Sequence, residues 1–369
     1  MKYTFFVIVF ALFFSMLAYV LIRGWQALPV SARMIYAPIF GGLLILLMTG
    51  LFFENAFAPA LSKVITFAGY TFLITVVYLF LSFLLVDIIR FANYFLHFAP
   101  VGMHNFRLWT LSGSLGIIAI ALVVGNYNFN HPKIVKLNLT LDRPLKNREV
   151  KIVVASDIHL GNAIDKQMLK KYVKLINAQQ PDIVLLAGDI TDRSANPLSE
   201  QNMRTELQSI HAPLGVYAIR GNHEYYSGKP DEIAGYLRTS GITVLIDSAC
   251  LVDNNFYIVG RDDRTNTRRK SLAEITQGLD KDIPKILLDH QPYHLEVAAQ
   301  NGIDLQISGH THDGQFFPGN LLVKKMFELG HGYLKKGKTH YYVSSGLGLW
   351  GPQYRIGTQS ELVEIRLKY

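Results

Sequence analysis

The sequence predicts two architectures in one chain. Residues 1–130 read as an all-α region of four apolar helices, and residues 131–369 as an α/β domain in which two packed β-sheets are flanked by helices. Three observations predict this. Charge is partitioned, with six Lys/Arg and two Asp/Glu in residues 1–130 against 30 and 26 in the other 239. The first part carries four apolar stretches, each close to the roughly 20 residues a helix needs to cross a hydrocarbon core. The second part alternates β-rich apolar runs with amphipathic stretches early and clusters its strands late, as layered α/β domains do.

The apolar stretches are Tyr3–Ile22, Ile35–Phe53, Val64–Ile89 and Trp109–Gly125. Lys2 ahead of the first also fits a secretory signal, but no small-residue cleavage site follows and three more spans do, so retained helices are expected. Asp87 lies near the end of the third span, three residues before Arg90, where an interfacial ion pair is expected. An even number of spans puts both termini on one side, with Lys2, Lys63, Lys133, Lys136, Arg143, Lys146 and Arg148. Arg23, Arg33, Arg90 and Arg107 fall on the other. The excess of cations on the first side expects a cytoplasmic C-terminal domain. Cys250 is the only cysteine, which excludes an intramolecular disulfide and agrees with a reducing compartment. The net charge of +8 suits a neighbour of anionic lipid but is too diffuse to expect nucleic acid.

In the second part, "NYNFNHP" (126–132) reads as a linker. "IVKLNLTL" (134–141) places Val135, Leu137, Leu139 and Leu141 on one face of a strand. "VKIVVAS" (150–156), "DIVLLAGD" (182–189) and "GVYAIRGNHE" (215–224) read as buried strands running into polar loops. Between them stand a helix at Asp165–Gln179, with its apolar stripe at Met168, Leu169, Tyr172, Val173 and Ile176, and a helix at 199–211 capped by Ser199. Further strands are expected at 255–260, 285–290, 304–310, 340–345 and 361–367. Helices are expected at Lys229–Thr239, Ser271–Gln277 and Tyr293–Gln300.

Polar, metal-competent groups recur just past these strands: Asp157 and His159, then Asp189, then Asn222, His223 and Glu224, then His290, then His310 and His312. The carboxyl ends of strands are where open α/β sheets place their sites. Each fragment alone reads as a turn, and a lone His290 as a satisfied core histidine; five in order, each after an apolar run, do not. Carboxylate and amide oxygens mixed with imidazoles, without thiolate, suit Mn²⁺, Fe²⁺, Zn²⁺ or Co²⁺. Seven ligand candidates exceed one tetrahedral ion and suit two divalent ions sharing a carboxylate, an arrangement that can clamp an in-line displacement at phosphorus. His310 and His312 are expected on the same side of a locally extended chain, where side chains alternate.

"SDIHLG" (156–161), "AGDITD" (187–192), "GNHE" (221–224), "DHQP" (289–292) and "GHTH" (309–312) resemble, in order and approximate spacing, the five blocks of the calcineurin-like metallophosphoesterases over Lys151–Tyr369. "GHTHDGQ" and "SSGLGLWGPQYRIG" look closest to the bacterial membrane-associated branch, with Asp313 where a glycine is usual. The four-helix region lies outside the family signature. The resemblance implies a four-layer metallophosphoesterase-type β-sandwich flanked by helices. It implies Asp157, His159 and His312 on one metal, Asn222, His290 and His310 on a second, and Asp189 bridging both. It also implies that His223 acts on the leaving oxygen or the phosphoryl group without binding metal, and that Arg355 contacts substrate phosphate. The membrane-associated branch places the chain in a bacterial inner membrane.

Glu224, Asp192 and Asp289 are candidates for orienting imidazoles, and equally for caps or surface carboxylates. Asp262 and Asp263 read first as an Asx-turn. The segment 321–338 mixes Leu321, Leu322, Val323, Met326, Phe327 and Leu329 with Lys324, Lys325, Lys335, Lys336 and Lys338; it reads either as a solvated loop or as a surface that seats in lipid headgroups. Three readings of function stay open. The first is a membrane-anchored hydrolase of a phosphoester or pyrophosphate, with a lipid or lipid-linked nucleotide sugar among the implied substrates. The second is a tethered phosphodiesterase for soluble nucleotides. The third is a silent binding platform, which loss of ligands would mark; every ligand position is present.

Overall fold

The computed structural model describes residues 2–97, 103–146, 149–192 and 194–368. Arg148 lies outside the described residues, as does the side chain of Lys2. The chain divides into two compact units, Met1–Val124 with Gly351–Gln353, and Gly125–Trp350 with Tyr354–Tyr369.

The first unit is built on the helices Lys2–Ala27, Val30–Phe52, Pro59–Leu96 and Met103–Asn130, the last ending in the second unit. All four are long and apolar enough to cross a bilayer. They outrun the expected apolar stretches because nothing at the stretch ends breaks a helix, and Pro59 at a first helical position suits a start. A buried seam of Leu17, Val20, Leu47, Phe72, Val76 and Ile118 holds the bundle. Gly69 lets helices approach, since a Cβ there would stand 2.6 Å from the Leu47 Cα. Val30, Ile45, Phe91 and Ile117 point outward, so the bundle is apolar on its outside as well. Asp87 pairs with Arg90 at 3.3 Å and also with Arg23, and it accepts a 2.7 Å hydrogen bond from the Tyr19 hydroxyl.

The second unit carries two six-stranded sheets. The first holds β1 (Lys133–Thr140), β2 (Glu149–Ala155), β3 (Ile183–Leu186), β4 (Val216–Ala218) and β5 (Thr243–Val244). The second holds β6 (Ser248–Val252), β7 (Phe256–Gly260), β8 (Lys285–Leu288), β9 (Leu305–Ser308), β10 (Gly332–Lys336) and β11 (Thr339–Val343). β12 (Glu361–Lys368) returns to the first sheet between β1 and β2, parallel to β1 and antiparallel to β2. β2, β3, β4 and β5 run parallel, as do β7, β8, β9 and β11.

Period-2 alternation sorts the side chains into layers. Ile152, Val154, Ile183 and Leu185 face the space between the sheets, where they meet Ile286, Leu288, Leu305 and Ile307. Val153, Ala155, Val184 and Leu186 face outward onto Leu169, Val173 and Ile176 of the helix Lys166–Ala178. On the far side, Val259, Leu287 and Tyr341 pack on Leu272, Ile275 and Ala298. The result is the four-layer helix–sheet–sheet–helix sandwich that the resemblance implies.

Several elements differ from expectation. The segment 126–130 is helix, not linker, because Phe129 is buried in the domain core and the Asn128 amide donates to the Arg355 carbonyl. The expected helix at 199–211 is two single turns, Asn196–Glu200 and Arg204–Gln208, separated by Asn202 at φ 48°, so Ser199 sits inside a turn instead of capping. Asn222–Tyr226, expected as a polar loop after the strand, is a helical turn. Segment 321–338 is no open loop: it forms the helix Gly319–Met326 and the β10 strand. β5, β6 and β10 lack the strong apolar alternation that marks the others.

Leu185→Ala removes volume between the sheets and is expected to lower stability by about 3 kcal/mol. Circular-dichroism melting of the full chain in detergent reads this as a lower Tm, with exposed Lys170→Ala leaving Tm unchanged.

Candidate metal centre

The loops that leave β2, β3 and β4 in one sheet and β8 and β9 in the other bring all seven ligand candidates into one cluster. The loops are laced to each other: the Asp157 amide donates to the Gly188 carbonyl and the His159 amide to the Asp189 carbonyl, both at 3.0 Å. Three groups of potential ligand atoms result, Asp157–His159–His312, Asp189–His290–His310 and His159–Asp192–His223, with the atoms of each group within 4.8 Å of one another; the first two hold the expected ligands. Asn222 Oδ1 stands 2.8 Å from His310 Nδ1. Asp189 Oδ2 lies between the groups, 3.1 Å from His290 Nε2 and 3.8 Å from His159 Nε2.

Backbone conformation aims these side chains. Asp157, His159, Asp189, His310 and His312 have φ of 53°, 53°, 49°, 71° and 50°, in the left-handed region that L-residues avoid. His310 and His312 therefore converge through a tight turn, and not through the extended alternation expected from their spacing. Asp313 shares the conformation at φ 50°, which explains why glycine suits that position and why an aspartate is tolerated. Gly221 and Gly309 give the cluster room, since a Cβ on either would collide with the Asp189 or Asp157 carboxylate respectively.

The polar atoms are arranged for a cation. His290 Nδ1 contacts the Ala187 carbonyl at 2.8 Å, a bond in which the ring donates, so Nε2 is turned toward Asp189 Oδ2, 3.1 Å away, where a proton or a metal ion must stand between them. His159 Nε2 and His312 Nε2 face each other at 3.2 Å, and His312 Nε2 lies 3.4 Å from Asp157 Oδ1. Converging lone pairs in a buried site are unfavourable unless a proton or a metal ion stands between them. Carboxylates and imidazoles without thiolate fit a divalent ion of the Mn, Fe, Zn or Co type.

Electrostatics agree. Burial pushes Asp157 up to about 6. Burial, helped by His223, holds His159 down to about 3, and burial takes His310 to about 4. Burial and the facing His159 put His312 well below the imidazole range. Burial works against the charged forms of Asp189 and His290 too, but their mutual attraction wins: Asp189 falls below the carboxylate range and His290 rises well above the imidazole range.

His223 stands beside the cluster. Its backbone amide donates to Asp189 Oδ1 at 2.9 Å, and its Nδ1 lies 3.0 Å from Asp192 Oδ1. Burial lowers its affinity for a proton, but the Asp192 hydrogen bond and the nearby carboxylates raise it further, for a net rise. Glu224 is buried and ties two loops together: it accepts from the amides of Gly221 at 2.7 Å, Thr191 at 2.9 Å and Asp189 at 3.1 Å. Asp289 orients no imidazole; it pairs with Arg261 and Arg269 at 3.1 and 3.2 Å. Asp263 makes the expected turn by accepting from the Thr265 amide, and it also holds Gln291 of the His290 loop. Asp262 accepts from Tyr225 and Asn266.

Arg355 corrects the expected phosphate contact. Its side chain is fully buried, and its guanidinium donates to the carbonyls of His312 at 2.9 Å and Gly348 at 2.6 Å. It fastens the His312 turn to the glycine-rich segment instead of facing solvent. Two aromatic residues escaped the reading of the motifs: the rings of Tyr226 and Trp350 lie 5.4 and 6.2 Å from the His223 ring and are exposed. The only signal in the sequence was adjacency, Tyr226 to "GNHE" and Trp350 within the glycine-rich segment.

Comparison with known proteins gives a consistent family. The family model for calcineurin-like phosphoesterases matches residues 150–314. An uncharacterized metallophosphoesterase of Campylobacter jejuni is 33% identical over 69% of this chain and 69% of its own. One from Helicobacter pylori is 34% identical over 64% of each chain. A zebrafish transmembrane protein with metallophosphoesterase domain is 31% identical over 73% of this chain and 64% of its own. The matched part is thus under two thirds of the length of the last two.

Gly221→Ala is expected to displace Asp189 and lower retention of metal at least about tenfold, as loss of a supporting partner does. Metal content after dialysis, read by plasma mass spectrometry, checks this; full retention would show that the loop has slack.

Proposed function

Because the chain belongs to the calcineurin-like phosphoesterase family, we propose that it is a membrane-anchored, dinuclear metal-dependent hydrolase of phosphoester or pyrophosphate bonds. The observation that supports this is the pair of adjacent ligand groups, Asp157–His159–His312 and Asp189–His290–His310, with Asp189 Oδ2 in reach of both His290 and His159. Asp157, His159 and His312 would hold one divalent ion, and Asn222, His290 and His310 a second, with Asp189 in reach of both groups. Such ions, when bound, polarise phosphoryl oxygens and supply a nucleophile at neutral pH.

The chain's own residues do the rest. His223, with Nδ1 engaged by Asp192, keeps Nε2 for delivering a proton to the leaving oxygen. Arg355, donating to the His312 and Gly348 carbonyls, positions the His312 turn. The anchor is the four apolar helices, in a bacterial inner membrane with the hydrolase domain in the cytoplasm.

A lipid-borne phosphate is the favoured substrate class. Phe317, Leu321, Leu322 and Met326 are exposed on the segment that follows the His310–His312 turn, with Lys324 and Lys325 on the same helix. Apolar side chains among lysines suit the headgroup region of an anionic bilayer. Tyr226 and Trp350 support the second reading, since exposed rings beside the proton donor can stack on a nucleobase.

Metal-stripped protein in detergent, given Mn²⁺, Fe²⁺, Zn²⁺ or Mg²⁺, is expected to hydrolyse bis(p-nitrophenyl) phosphate and, faster, a lipid pyrophosphate. Asp189→Ala abolishes turnover, and His223→Ala lowers kcat about 100-fold or more. Preference for a soluble nucleotide would select the second reading, and no turnover with two ions bound would favour a silent platform. Asp192 favours the protonated imidazole, so Asp192→Asn lowers the His223 pKa. The rate needs that proton and falls as pH rises through this pKa; the falling limb of the kcat profile should therefore move to lower pH in the variant.

A further inference from the structure

The first unit contains a half-open pocket, with about 30 Å³ of space inside its walls, lined by Arg23, Asp87, Arg90, Arg107 and Thr110 together with apolar side chains such as Phe83 and Phe106. Among the described residues its charges do not balance. Three arginines face one carboxylate, and that carboxylate is fully engaged: Oδ2 takes Arg23 and the Tyr19 hydroxyl, and Oδ1 takes Arg90. Arg107 has no ion pair among the described residues, and its Nε is buried without a hydrogen-bond partner. Arg23 and Arg90 lie near the carboxyl ends of the first and third helices, and Arg107 near the amino end of the fourth, so all three belong to one end of the bundle.

Uncompensated guanidinium charge at the edge of a bilayer core is costly. A guanidinium presents N–H groups in a planar fork that matches phosphate oxygens. The apolar side chains of the same cavity suit the start of an acyl chain. We propose that this cavity binds the phosphate of an anionic phospholipid headgroup, with Arg107 as its principal ligand and Arg23 and Arg90 held ready by Asp87. The proposal shares with the functional reading only the premise that the four helices span a bilayer; it does not depend on the hydrolase chemistry.

Native mass spectrometry of the full chain in detergent tests it, with phosphatidylglycerol, phosphatidylcholine and inorganic phosphate as probes. The wild type is expected to retain phosphatidylglycerol at least about tenfold more than phosphatidylcholine, with millimolar inorganic phosphate failing to displace it. R107Q should lose the preference. T110L, which fills the cavity without changing charge, should lose it too, and R33Q, outside the cavity, should keep it. Equal retention of the two lipids by the wild type, or an undiminished preference in both R107Q and T110L, would overturn the proposal. Displacement by inorganic phosphate would overturn the lipid as occupant. Release of the chain from membranes by alkaline carbonate would instead fail the shared premise, and hydrolase assays on the same preparation stand apart from both.

Discussion

The centre depends on a backbone that accepts the left-handed conformation at five of its seven ligand candidates, Asp157, His159, Asp189, His310 and His312. Such a conformation costs an L-residue about 1–2 kcal/mol, so five of them persist only where the surroundings dictate the path. Here the surroundings are the parallel strands. β2 and β3 are paired up to Ala155 and Leu186, and their loops continue the lacing through the Asp157 and His159 amides. Each strand end is fixed by side chains packed on both faces, Val154 and Leu185 inward, Val153 and Leu186 outward. The apolar core thus offsets the strain of a polar site a few residues away, and the two cannot be separated in the sequence.

Glycine is the second half of this constraint. Left-handed turns bring carboxylates against neighbouring backbone, and only a residue without a Cβ can stand where Gly221 meets Asp189 or Gly309 meets Asp157. Glu224 then reaches back from its helical turn to the amides of Gly221, Asp189 and Thr191, so the loops after β3 and β4 move as one piece. Arg355 does the same for the His312 turn through carbonyl acceptors. Two buried charged residues therefore act on the site through backbone geometry, at a distance from any reacting atom.

Legibility in the sequence follows from how local each cause is. β2, β3 and β8 were readable because their apolar runs are continuous, and the four apolar helices because little else in the chain is free of charge. The position of each ligand candidate after a strand was readable for the same reason. The path of the backbone between them was not: the spacing of His310 and His312 fits an extended chain as well as a left-handed turn, and only the packing of the loop decides. Likewise, nothing local says that Arg355 folds inward, because the three carbonyls that capture it come from residues 312, 346 and 348. Asn126–Asn130 read as a linker from composition, and became helix because Phe129 found a place in the core. The helix at 199–211 failed at Asn202, whose short amide side chain tolerates the left-handed kink that periodicity overlooks.

Local charge imbalance has opposite signs at the ligand cluster and in the pocket of the helical unit. At the ligand cluster, acceptors converge: His290 Nε2 faces Asp189 Oδ2 at 3.1 Å, and His159 and His312 present nitrogens to one another. In the first unit, donors outnumber acceptors: Asp87 satisfies two arginines and leaves Arg107 Nε without a partner. A folded chain tolerates neither condition cheaply, because a buried polar atom without a partner forfeits its hydration. At these two places the sign of the local excess matches the sign of the proposed guest, a cation among carboxylates and imidazoles, an anion among guanidiniums. The inference needs no motif, which is why it reaches the helical region, where the family resemblance says nothing.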